Sequence, residues 1–147
     1  MKKKLTNLLA GTALLCSLLV ATPLSAYAGR WEQRADDWYY VENGKSAIGW
    51  KKIGSYWYFF NDNGTMRKGW LNNNGTWYFL NADGVMKKGW ARSGGKWYFL
   101  FDSGAMAHDC WINLNDRWYY LTSDGSLLTN GYTPDGYRVD QNGEWIG

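Results

Sequence analysis

The chain has 147 residues, 18% of them aromatic, including eleven tryptophans and eleven tyrosines. Its formal charge of +3 comes from Lys2, Lys3 and Lys4 at the start; the remaining basic and acidic side chains balance. Nothing in that balance suggests the basic face that nucleic acid needs, so nucleic acid is not expected as a partner. With two cysteines, the chain is not a disulfide scaffold.

Residues 1–28 read as a secretory signal. The three lysines form the positive start, and Leu8 to Val20 is an apolar run too short to span a bilayer. Ala26-Tyr27-Ala28 is a small-x-small cleavage site. Cys16 lacks the preceding small residues of a lipoprotein signal, so lipidation is not expected. Cleavage would leave residues 29–147, with no second long apolar run and no C-terminal sorting motif. Attachment to a surface is then expected to be non-covalent.

From Trp31 onward the chain repeats itself. Trp50, Trp70 and Trp90 stand at intervals of twenty residues, and Trp57, Trp77 and Trp97 each follow seven residues later. A fixed period of this length is the mark of a solenoid. The first copy is a variant, with Trp31 at its head and Trp38-Tyr39-Tyr40-Val41 running to Gly49-Trp50. The clearest unit is Trp57-Tyr58-Phe59-Phe60, Asn61-Asp62-Asn63-Gly64, then Thr65-Met66-Arg67-Lys68-Gly69-Trp70. Residues 77–90 repeat it, and residues 97–111 repeat it with one extra residue before Cys110-Trp111. Trp118-Tyr119-Tyr120-Leu121 opens a further copy, and Tyr137–Trp145 is a degenerate last one that reads as a cap. Cys110 stands where other copies have Gly49, Gly69 and Gly89, and reads as a tolerated substitution. The sharper alternative is a thiol for intermolecular pairing.

Each unit reads as a β-hairpin, and the fold class is all-β. Aromatic runs favour strands. The Asn-Gly and Asp-Gly turns after them supply the positive φ of a tight hairpin, with the Met-bearing segment as the return strand. Gly54, Gly75 and Gly95 mark a second turn, in the linker to the next hairpin. An isolated hairpin is marginal in water, so successive units must stack and bury aromatics between them. Phe59, Phe79, Phe99 and the large apolar residues after them are the expected core.

The string Gly-Trp, short linker, Trp-Tyr-Phe, turn, Gly-x-Met, Gly-Trp resembles the choline-binding, or cell-wall-binding, repeat of Gram-positive bacteria and their phages. The likeness is close over 50–111, varied over 31–49 and 112–132, and loose over 133–147. It implies a solenoid of stacked hairpins, wound as a left-handed superhelix, with choline caged between consecutive repeats by three aromatics and often a methionine. By the match, Trp50 and Trp57 would share a cage with Tyr78, Trp70 and Trp77 with Tyr98, and Trp90 and Trp97 with Tyr119. Met66, Met86 and Met106 are candidates for a fourth wall, without assignment to particular cages. Trp31 with Trp38 and Trp111 with Trp118 are weaker flanking pairs. The last pair lacks a partner ring, because Arg138 stands in the tyrosine's place.

The implied partner is choline on teichoic acid or a related wall polymer, and no cofactor is implied. A quaternary ammonium donates no N–H hydrogen bond and is held by aromatic faces. Glucan is the rival ligand, since rings also stack on sugars and similar repeats occur in glucan-binding proteins. A third reading is a structural or adhesive surface protein. Enzymatic activity is not expected. His108 is the lone histidine, and Asp62, Asp83, Asp102 and Asp124 all fall in turns. Neither calcium-loop spacing nor a zinc set is present, and the repeats leave no residues for a catalytic domain.

Overall fold

The computed structural model describes residues 29–147; the predicted signal and its cleavage site lie outside the described residues. Every strand pairing is antiparallel and every ladder is short. Strands β1 (Arg30–Arg34), β2 (Asp37–Glu42) and β3 (Lys45–Ser46) form one three-stranded sheet. Five two-stranded hairpins follow: β4 (Gly49–Ile53) with β5 (Tyr56–Phe60), β6 (Gly69–Asn73) with β7 (Thr76–Leu80), and β8 (Gly89–Ser93) with β9 (Lys96–Leu100). The last two are β10 (Cys110–Leu114) with β11 (Arg117–Leu121), and β12 (Gly131–Tyr132) with β13 (Arg138–Val139).

The hairpins are phased differently from the expectation. The ladder runs across the segment expected as a linker: Trp50 faces Phe59, Lys52 faces Trp57, and Ile53 faces Tyr56 around Gly54. Beyond the first unit, where β3 pairs with β2, the segment expected as a return strand makes only isolated bridges, such as Phe60 to Met66 and Leu80 to Met86. The reason is turn length. Asn74-Gly75 and Gly94-Gly95 form two-residue loops with both φ values positive, which match the twist of the flanking strands and seed a full ladder. The other turn is wider. Its side chains accept hydrogen bonds from the N–H two residues on, as Asp83 does from Val85 (3.0 Å) and Asp124 from Ser126 (2.9 Å). Those two aspartates are turn-formers, as read from sequence.

Side chains alternate faces along each strand. In the β4–β5 hairpin the register puts Trp50, Trp57 and Phe59 on one face and Tyr58 on the other. The tyrosine faces of the later hairpins carry the buried Leu71, Ala91 and Ile112, directly opposite Tyr78, Tyr98 and Tyr119. One hairpin's tryptophan face meets the next hairpin's tyrosine face. A spine of Val41, Phe60, Leu80, Leu100, Leu121 and Val139, none more than 3% exposed, runs through the stack. Phe59, Phe79 and Phe99 are half-buried instead; they back Trp50, Trp70 and Trp90 at ring distances of 5.3, 5.0 and 5.2 Å.

Backbone hydrogen bonds tie hairpin to hairpin. The N–H groups of Met66, Met86, Met106, Leu127 and Trp145 donate to the carbonyls of Trp38, Trp57, Trp77, Trp97 and Trp118, at 2.7 to 2.9 Å. The longer unit also explains Cys110. Asp109 takes the left-handed conformation there (φ 49°) that Gly49, Gly69 and Gly89 supply elsewhere, so position 110 no longer requires glycine. Burial raises the Cys110 thiol pKa above its ordinary value.

Candidate functional site

Each interface between hairpins holds an aromatic group of the same build. Trp50 is its hub in the first full unit. Its ring centroid lies 6.5 Å from Trp57 and 4.9 Å from Tyr78 of the following hairpin, with interplanar angles of 83° and 67°. The Trp70, Trp77, Tyr98 group has distances of 6.3 and 4.8 Å, and the Trp90, Trp97, Tyr119 group 6.4 and 5.4 Å. All three expected trios are brought together. Their near-perpendicular rings form walls rather than a flat stack, and the edge-to-face contacts stabilise that arrangement. The hub tryptophans are half-buried, whereas Trp57, Trp77 and Trp97 are 41 to 44% exposed.

The backbone rungs settle the fourth wall by position. Met86 is hydrogen-bonded to Trp57, so it belongs with Trp50, Trp57 and Tyr78; Met106 likewise belongs with Trp70, Trp77 and Tyr98. Met66 serves an earlier group, lining a cleft of about 260 Å³ with Trp31, Trp38 and Tyr58. The group around Trp90 has no methionine; Leu127 completes it in a cleft of about 350 Å³. Glycines make these walls possible. A Cβ at Gly84, Gly104 or Gly125 would overlap the thioether of Met66, Met86 or Met106.

Both flanking pairs are complete, which corrects the expectation for Trp111 and Trp118. Tyr137, not position 138, supplies the missing ring, at 6.1 Å from Trp111. Trp145 is the fourth wall, at 6.1 Å from Tyr137, and the four rings line a cleft of about 420 Å³. The register shows the reason: Gly131 and Tyr132 pair with Val139 and Arg138 as Gly89 and Trp90 pair with Leu100 and Phe99, so Arg138 holds the phenylalanine's place and Tyr137 the tyrosine's. A signal for this existed in the sequence: tyrosine and fourth wall are eight residues apart in every unit, from Tyr58–Met66 to Tyr137–Trp145.

The polar surroundings differ from group to group. Asp83 and Lys68 line the cleft of Trp31 and Trp38, and Gln141 and Asn142 line that of Trp90 and Trp97. Desolvation raises the Tyr58 pKa, and the nearby Asp83 charge adds to the rise. Trp70 is fixed by an indole N–H donated to Ser93 Oγ at 3.1 Å. The Arg92 guanidinium stands 5.9 Å from the Trp97 ring centre, so a cation already uses one of these faces. His108, the lone histidine, is exposed and hydrogen-bonded to Asp109 at 3.0 Å. Among the described residues no three His, Cys, Asp or Glu side chains converge as a metal set.

Comparison with known proteins yields a consistent picture. Residues 47–88 and 111–145 match family models described as choline-binding repeats, and residues 88–106 match one described as a putative cell wall binding repeat. Curated proteins gave no match. Among solved structures, CbpF of Streptococcus pneumoniae, in complex with ipratropium, is 38% identical with a TM-score of 0.72, over 80% of this chain and 38% of that one. A choline binding domain from Streptococcus pneumoniae is 43% identical with a TM-score of 0.52, over 55% of this chain and 96% of that one. The modular autolysin LytC from Streptococcus pneumoniae is 26% identical with a TM-score of 0.69, over 80% of this chain and 28% of that one. The chain thus spans less than half of CbpF and of LytC. It belongs to the choline-binding repeat family.

Proposed function

From that membership we propose that the chain is an exported, non-catalytic module that holds choline on teichoic acid or a related cell-wall polymer. Each aromatic group is a cage for one choline headgroup, five in all, headed by Trp31, Trp50, Trp70, Trp90 and Trp111. The observation that carries this reading is the exposed second tryptophan. Apolar rings kept merely as core are withdrawn from water, yet Trp57, Trp77, Trp97 and Trp118 stay 41 to 44% exposed at matching places. Trp57, Trp77 and Trp97 stand near-perpendicular to a sheltered hub ring, which leaves an open corner of ring faces for a cation.

The energetics suit repetition. One ring face attracts a quaternary ammonium by about 0.5–2 kcal/mol. Three or four rings therefore give a weak site, roughly millimolar after entropic losses. Several such sites on one polymer convert weak binding into firm attachment. Export is consistent with the leader at 1–28, and non-covalent attachment with a repeat array as the anchor.

The test is retention of the protein on a choline-type resin and its elution by free choline. Retention on dextran with none on choline would replace this reading with a glucan-binding one. Trp77→Ala should lower choline affinity while the melting profile of the array persists. Unchanged affinity in a calorimetric titration would remove the Trp70 cage from the assignment.

A further inference from the structure

The charges of residues 29–147 balance in total but not along the chain. Residues 45–96 hold nine lysines and arginines against two carboxylates, Asp62 and Asp83. Residues 97–147 hold two, Arg117 and Arg138, against seven carboxylates. In an array of stacked units, segregation along the sequence is segregation in space. The half built on β4–β9 is basic, and the half built on β10–β13 is acidic. Asymmetry of this kind points to a charged partner.

The basic half gathers unpaired charge in one groove. Lys52 lies opposite Trp57 in the β4–β5 ladder. The rung from the Met86 N–H to the Trp57 carbonyl, 2.8 Å, brings Lys87 and Lys88 to the same place. The polar lining of this groove of about 460 Å³ is Lys52, Lys87, Lys88, Ser55, Tyr56 and Asn81. No carboxylate lines it, and neither do Trp50 and Tyr78. The turn that meets Met86 at Gly104 carries Asp102, which is not part of this lining. The three lysines take part in none of the ion pairs of the described residues, whereas Lys51 pairs with Glu42 and Lys96 with Asp124. Asn81 also differs from its counterpart one unit earlier. There Asn61 Nδ2 donates to Thr65 Oγ1 at 2.8 Å. Val85 stands in the place of that threonine and accepts no such bond, which leaves the Asn81 amide to the groove.

We propose that this groove binds the oxyanions of a linear polyanionic polymer that need carry no choline, at a site separate from the aromatic cages. The three ammonium groups supply the charge. The Ser55 and Tyr56 hydroxyls and the Asn81 amide supply further donors. Like charges held together repel one another, and a bound oxyanion removes that cost. A lysine ammonium is a point charge and does not by itself separate phosphodiester from carboxylate. Two probe polymers make that distinction.

Binding of labelled, choline-free poly(glycerol phosphate) and of labelled poly(glutamate) to the protein is followed by fluorescence anisotropy. At least one polymer should bind, and the better of the two names the oxyanion. Raising sodium chloride from about 50 to about 200 millimolar should weaken binding roughly tenfold or more, through counterion release. Lys52→Gln/Lys88→Gln changes two exposed side chains. It should weaken binding roughly three- to tenfold and leave the thermal melt in place. Lys45→Gln removes an exposed charge of the same half outside the groove, and should cost less than about twofold. Choline should displace the polymer no more than sodium chloride does at equal ionic strength. Three outcomes would overturn the site: no binding of either polymer, a loss in Lys45→Gln equal to that in the groove variant, or displacement by choline beyond the salt effect. Each leaves the choline reading to its own resin test. Failure of resin retention with polymer binding intact would strike the choline reading alone.

Discussion

A single tyrosine shows what each cage residue contributes. Tyr98 presents its ring to Trp70 at 4.8 Å, and its partner across the ladder is the small, buried Ala91. On the proposed function the ring face carries the attraction and the hydroxyl does not. Tyr98→Phe should therefore bind choline within about twofold of the parent, while Tyr98→Ala loses one wall, roughly 0.5–2 kcal/mol. Titration calorimetry separates the two. An equal loss in both variants would mean that the hydroxyl does the binding and the cation–π account is wrong.

At the scale of one hairpin against the next, glycines and turn carboxylates set the spacing. Gly89 and Gly104 both have positive φ, at 70° and 86°, but a Cβ at Gly89 meets open space while one at Gly104 overlaps Met86 Sδ and Cε. Gly89→Ala should cost about 1–2 kcal/mol through backbone strain alone. Gly104→Ala should cost roughly 1–3 kcal/mol more through overpacking, and should also weaken ligand binding at Trp57. Equal denaturation midpoints for the two variants would contradict the overlap. Asp124 adds a pH-dependent link between hairpins. The Lys96 ammonium, with Ser126 and Thr122, holds its carboxyl well below the usual carboxylate range. The stabilisation is full above the unfolded-state pKa of about 4 and is lost as pH falls through the depressed folded value. Both side chains are more than half exposed, so screening limits the effect to about 1 kcal/mol or less. Asp124→Asn should thus be less stable than the parent in urea melts at neutral pH, and the gap should close in strong acid. A gap that persists there would assign the loss to the turn rather than to the ion pair.

For the whole molecule, the rungs from Met66, Met86, Met106, Leu127 and Trp145 each join one hairpin to the next, and in such arrays stability is approximately a sum of hairpin and interface terms. A ligand that bridges two hairpins binds the stacked array and not the unfolded chain. The proposed choline sites then require stability to rise with ligand by RT ln(1 + [L]/Kd) per independent site. At about ten millimolar choline, a millimolar site contributes roughly 1.4 kcal/mol, and several sites add. Thermal melts with choline and with sodium chloride at equal ionic strength check this. An equal rise with salt, or none with choline, would count against cages at the hairpin interfaces.

The sequence by itself determined the period and the all-β class, and its resemblance to the choline-binding repeat supplied the three central aromatic trios. Each repeat confronts the same side chains with the same spacing, so identical local preferences give identical local structure, and residues such as Trp70, Trp77 and Tyr98 must recur in one geometry. Only the tertiary structure decided which turn closes the ladder. Gly54, Asn74-Gly75 and Asn63-Gly64 all offer turn chemistry, and local propensity does not rank them; the two-residue loop prevails because it matches strand twist over a five-residue ladder. It also decided the fourth walls. The bond from Met86 N–H to the Trp57 carbonyl joins residues nearly thirty apart, and such a rung follows from stacking, not from any local signal. Tyr137 was hidden for a different reason: the last copy lacks the Trp-Tyr-Phe run that marks the others, and only the pairing of Tyr132 with Arg138 shows that Arg138 holds the phenylalanine's place and Tyr137 the tyrosine's, beside Trp111 and Trp145.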